Sequence, residues 1–230
     1  MAGWREIDES ADRDGTLRAP DDTLVRPPAG AVQRWGGLAS FLLAVAFLVP
    51  PWIYLTGNVR AASGPVVYAL ADVLYGPIWA ASLVTAVFAL RERIGARAPR
   101  RMSLALLAAL VAAGAMVAVA CIRSANRQYL LSHPELSEDL STTLLLAWTT
   151  IVTGVLATGL HFLGWALLLV GSTGWASRSL PRVLSALYLV AGTAALLVYL
   201  LPDMEGAVVA LGVVLSIWQG IVLWKAAPRA

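Results

Sequence analysis

Six apolar runs of about 20 residues each, separated by short polar segments, constrain this chain more than anything else in it. They cover residues 35–55, 65–90, 103–122, 141–170, 183–201 and 207–223. A hydrocarbon layer about 30 Å thick takes about 20 helical residues to cross, and a helix suits it because all its backbone polar groups are satisfied internally. Composition agrees: 59% of the residues are hydrophobic and 13% are charged, against about 25% charged in a soluble domain. Too little polar surface is left for a water-facing exterior. The expected fold is all-α, a single bundle of six transmembrane helices within residues 35–225, with the lipid bilayer as its partner.

Residues 1–34 are polar, mixed in charge and broken by Pro20, Pro27, Pro28 and Gly30. They bury too little apolar surface to offset the cost of ordering, so a disordered or loosely attached tail is expected, with a second short tail at 226–230. A long charged stretch precedes the first apolar run, which is not the pattern of a signal peptide.

The charges between the runs set an orientation. With the amino terminus in the cytoplasm, fourteen of the seventeen Lys and Arg residues lie inside, including Arg91, Arg93, Arg97, Arg100 and Arg101. Only Arg60, Arg123 and Arg127 lie outside. The positive-inside rule therefore expects a plasma (inner) membrane protein with both termini cytoplasmic. Because the basic residues cluster between spans, the basic pI of about 9.3 does not point to nucleic acid. The lone Cys121 excludes an intrachain disulfide and a cysteine-based metal cluster.

Several local features carry expectations. Pro50-Pro51 should interrupt the first helix near its far end, and Gly76-Pro77 should kink the second in mid-span. Gly114 and Ala118 form a small-xxx-small face suited to close packing. Residues 123–140 read as the longest internal loop, where Ser132-His133-Pro134-Glu135 has capping-box spacing for a short interfacial helix. Its Glu135, Glu138, Asp139 and His133 read as a solvated, capping-type acidic loop rather than a cation site.

Asp72 is the only carboxylate inside an apolar run. A charge deep in a bilayer costs about 2.5–3.5 kcal/mol on insertion scales, so it should face the bundle interior. Tyr68, Tyr75, Gly76 and Trp79 share its helical face. Tyr68 and Tyr75 are the expected hydrogen-bond donors, and Arg60 or Arg123 the cations within reach. Two readings follow: a proton- or cation-binding carboxylate in an outward-facing cavity, or a satisfied residue that fixes helix packing. A second, weaker candidate is His161 with Thr158 and Trp165, on a face shared with Thr150 and Gly154. Counted from the run boundary, His161 falls in the inner half, ~15–20 Å from the level of Asp72 at ~1.5 Å per residue. A packed, hydrogen-bonded histidine is the default there. No G-x-S-x-G, H-E-x-x-H, Walker A or G-x-G-x-x-G pattern occurs, so no catalytic residue, metal site or cofactor is expected.

Two segments carry a likeness. Gly159-Leu160-His161 through Gly171, then Ser179-Leu180-Pro181-Arg182 through Gly192, is similar to a family of small six-helix bacterial membrane proteins catalogued as a domain of unknown function. The placing of Asp72 in the second run also resembles that family. The resemblance implies six helices and marks His161 as a family position; it implies no activity. The long polar amino-terminal tail and the Trp-rich spans depart from it.

Three function classes remain. The first is a small-solute or ion-coupled binding or transport role centred on Asp72, with Gly76-Pro77 as the mobile element. The second is a non-catalytic accessory or sensory membrane protein, acting through helix packing and cytoplasmic partner contacts, either as a homo-oligomer or with a membrane partner. An intramembrane enzyme is the weakest, for want of any nucleophile, metal or cofactor motif.

Overall fold

A computed structural model describes residues 29–56 and 64–226, and every regular element among them is helical. Helix α1 is Ala29–Thr56. Helix α2, Gly64–Val73, continues through a π-helical turn at Leu74–Ile78 into α3, Trp79–Ile94. A short 3₁₀ turn at Gly95–Arg97 leads into α4, Pro99–Ser132. Then come α5, Glu138–Ser177, α6, Arg182–Leu197, and α7, Glu205–Ala226. Five of these rods are long and apolar enough to cross a membrane, counting α2–α3 as one. The other, α6, is apolar but has only 16 residues, ending at Leu197 rather than running to 201.

Residues 1–28, 57–63 (with Arg60) and 227–230 lie outside the described residues, so of the two expected tails the structure bears only on 29–34 and 226. There the structure differs: α1 already begins at Ala29, ahead of the apolar run. The Pro50-Pro51 pair does not interrupt α1 either, since the helix continues to Thr56. Each proline removes only its own N–H bond, to the carbonyl four residues back, and the bonds of the flanking residues carry the helix on to Thr56.

Helices α4 and α5 form the backbone of the bundle. At 34 and 40 residues, they are ~51 and ~60 Å long at ~1.5 Å per residue. The long loop expected at 123–140 shrinks to His133–Ser137, because α4 simply continues past its apolar run to Ser132. The Ser132–Glu135 capping box is not formed. Ser137 is the N-cap instead, accepting from the Leu140 amide at 3.3 Å, with Glu138 and Asp139 in the first turn of α5. Acidic side chains there are favoured by the helix dipole.

Close packing rests on small residues. Ala105, Ala109 and Ala112 of α4 are fully buried, at the alternating three- and four-residue spacing of one helix face. Gly114 is off that face and meets nothing within 4 Å, so the expected Gly114–Ala118 contact surface is not used. The tight crossings lie elsewhere. A Cβ on Gly36 would fall 2.2 Å from that of Ala89, and one on Gly164 would fall 2.8 Å from the Gly192 carbonyl.

The ends of the described chain meet at one end of the bundle. Gly37 of α1 packs on Trp224 of α7, and Arg93 donates to the Val222 carbonyl at 3.0 Å. Arg97 likewise donates to the carbonyl of Ser177, the last residue of α5. Arg34, Arg91, Arg93, Arg97, Arg100, Arg101, Arg178, Arg182 and Lys225 therefore gather at this end. Tyr54, Asp72, Arg127 and Glu205 stand at the other.

Candidate functional site

The Gly76-Pro77 step produces a π turn rather than a simple kink. Pro77 has no N–H, so one bond of the α-helical ladder is unavailable, and the wider turn absorbs the loss. The burial pattern records the change of pitch. Buried pairs fall at 71/72, 75/76 and 79/80, four residues apart, then at 82/83, 86/87 and 89/90, at helical spacing. The extra residue keeps Asp72 and Tyr75 on the inward side together with Trp79 and Leu83. Gly76 packs tightly on α4: a Cβ there would sit 2.4 Å from the Cβ of Ala120.

Asp72 is 4% exposed, and each of its oxygens has a partner. Tyr54 of α1 donates its hydroxyl to Oδ1 at 2.6 Å, and Arg127 of α4 donates from Nη1 to Oδ2 at 2.6 Å. The second nitrogen of Arg127 reaches Ser124 Oγ at 3.4 Å. One carboxylate thus ties three helices together. Short, charge-assisted bonds of this kind are the strong ones, and burial of both partners keeps solvent from weakening them.

The residues expected around Asp72 take other roles. Tyr75 is buried beside the cluster with its ring against Tyr54, centroids 6.3 Å apart. Tyr68 contributes its ring, 5.8 Å from that of Tyr54. Arg123 does not pair with Asp72; its guanidinium lies over Tyr54 at 4.5 Å and near Tyr75 at 5.7 Å, a cation–π arrangement. Its Nη1 is buried without a hydrogen-bond partner, as is Asn126 Oδ1 one turn along. Tyr54 and Arg127, the two groups that bond Asp72, are not on its helix. Arg127 had one sequence signal: it stands four residues after Arg123, on the same face if the helix continues. Tyr54 had none beyond being aromatic near a span end.

The second candidate lies apart. His161 is half-buried, and its Nε2 accepts from Trp165 Nε1 at 3.2 Å along the same helix. Thr158 and Trp165 are exposed, and the Thr158 hydroxyl folds back on the Gly154 carbonyl at 3.0 Å. This face of α5 points outward. His161 also packs edge-on against Tyr199, centroids 6.1 Å apart, just beyond the end of α6. Gly159, just before His161, packs on Ala115 and Met116 of α4, whereas Asp72 pairs with Arg127 farther along that helix, so the two candidates lie at different levels. The ring contacts of His161 are with Phe162, Trp165 and Tyr199, and Asp72 is not among them.

A central void of about 20 Å³ lies between α1, α3, α5, α6 and α7. That is room for about one water, and none of the Asp72 cluster lines it. On its polar side Tyr188 donates to Gln219 Oε1 at 2.6 Å.

Compared with family models, with curated proteins and with solved structures, the chain matches none. What the molecule does has to be argued from its own groups.

Proposed function

We propose that this chain is a polytopic inner-membrane protein of six crossings with both termini cytoplasmic, acting as a non-catalytic accessory or sensory component. The observation that carries this reading is the Asp72–Arg127–Tyr54 cluster. A carrier's charged group must meet water or solute, whereas this carboxylate is sealed and spends both oxygens on other helices. Such a cluster fixes helix packing. The α4–α5 rods add a surface for a partner, since Leu145, Leu146 and Ile151 are exposed along the first half of α5. Lipid, a second copy or another membrane protein can cover that face. The basic end supports the cytoplasmic placing of the termini. Apolar residues 198–201 extend α6 toward the length of a sixth crossing. Likeness to the six-helix family of unknown function belongs to this proposal and adds no activity to it.

The small-solute or ion-coupled reading stands second, favoured by two observations. The π turn lies directly beside Asp72, and turns of this kind often mark functional sites. Arg123 also keeps a buried nitrogen without an acceptor.

A stability screen separates the two. Purified wild type and Asp72→Asn are melted with candidate solutes over a pH series. The accessory reading expects a uniform fall in Tm for the variant. Stabilisation by a solute, present in the wild type and lost in Asp72→Asn, would overturn it in favour of the carrier. Orientation is tested with Glu135→Cys in a Cys121→Ser background. An impermeant maleimide should label it in intact cells, and labelling only after lysis would reverse the topology.

A further inference from the structure

At the basic end, the start of α4 is left open in an unusual way. The Ala98 amide is taken by the Gly95 carbonyl at 3.0 Å, and the Met102 amide by the Ala98 carbonyl at 3.1 Å. Between them Pro99 has no N–H, and Ala98 supplies no side-chain cap. The amides of Arg100 and Arg101 thus have no acceptor within the helix. They stand at the positive end of a 34-residue dipole.

A pocket of about 550 Å³ opens here, lined by Arg97, Arg100, Arg101, Thr173 and Ser177 among others. No acidic side chain is in its lining. An independent feature points to a ligand. Thr173 of α5 is one of the lining residues; it is 1% exposed, and its hydroxyl has no hydrogen-bond partner. Leaving a buried hydroxyl unpaired is unfavourable, so something normally meets it. Arg97 uses Nη1 on Ser177 and has four further N–H donors.

We propose that this pocket binds a phosphate-bearing anion. The Arg100 and Arg101 amides face its oxygens, as at other helix N-termini that hold phosphate. The three guanidinium groups neutralise the charge, and the Thr173 hydroxyl donates from the far wall. Basic pockets at the cytoplasmic ends of membrane helices suit lipid headgroups, and a soluble phosphate ester offers the same oxygens.

The test uses the full chain in nanodiscs of zwitterionic phosphatidylcholine, read by thermal unfolding. One arm titrates glycerol phosphate against chloride of equal ionic strength; the other replaces part of the lipid with phosphatidylglycerol. Saturable stabilisation is expected in at least one arm. A response to glycerol phosphate assigns a soluble ligand, and a response to phosphatidylglycerol alone assigns the headgroup. Arg100→Gln with Arg101→Gln should weaken the response at least tenfold, and Thr173→Val should weaken it severalfold. Arg182→Gln, which removes a charge from the same end outside the pocket, should respond as wild type. No stabilisation in either arm, or a loss in Arg182→Gln equal to that in the double variant, overturns the proposal. If the double variant does not fold, Thr173→Val decides alone, and a wild-type response from it sinks the site.

Discussion

Arg127 on α4 holds Asp72 on α2 through a 2.6 Å contact between Nη1 and Oδ2, and neither side chain is more than 11% exposed. Removing one partner leaves the other buried and uncompensated, which costs about 3–5 kcal/mol. Asp72→Asn and Arg127→Gln should each lower stability by about that much in detergent-solubilised protein. Together they should cost clearly less than the sum. Strict additivity in the double-mutant cycle would show that the pair is not coupled.

Tyr54, and not Tyr68, is the hydroxyl that matters at this carboxylate. Loss of a hydrogen bond to a charged group costs about 1.5–3 kcal/mol, so Tyr54→Phe should fall in that range. Tyr68→Phe leaves its ring against Tyr54 and should stay within about 0.5 kcal/mol of wild type. Unfolding curves of the two variants side by side check the assignment, and equal losses would refute it.

Two glycines on neighbouring elements should behave oppositely. Gly76→Ala places a Cβ 2.4 Å from that of Ala120, and overpacking of this kind costs about 1–3 kcal/mol. Gly114→Ala meets nothing within 4 Å and should be neutral or gain up to about 1 kcal/mol from helix propensity. The Tm values of the pair report which small-residue face is packed.

At the tip of the α4–α5 hairpin, Ser137→Ala removes the N-cap of α5 and should cost about 1 kcal/mol locally. Amide exchange across 138–141 should speed up accordingly, while Glu135→Ala should leave it unchanged. If Glu135→Ala has the larger effect, the capping box at Ser132–Glu135 forms after all.

The polarity of the runs foretold the helices well, because apolar length and helical backbone satisfaction are properties of a segment by itself. Element ends were less legible. Polar residues 123–132 look like a loop, yet α4 carries them onward because Arg127 has a buried acid to meet and Arg123 has two aromatic rings. The Gly76-Pro77 step announced a disturbance without saying which. A proline forbids one hydrogen bond, and whether the helix bends or widens depends on what packs beside it, here Ala120.

The sequence alone determined that Asp72 must be hidden, since a lone carboxylate in an apolar run has no other tolerable place. It also brought the basic residues to one end, because alternating passes carry alternate loops to the same side. Only the tertiary structure decided what satisfies Asp72. Tyr54 and Arg127 are 18 and 55 residues away, and nothing local to either points at the other. Their meeting follows from how three helices cross, set by small residues at the crossings and by one extra residue in a π turn.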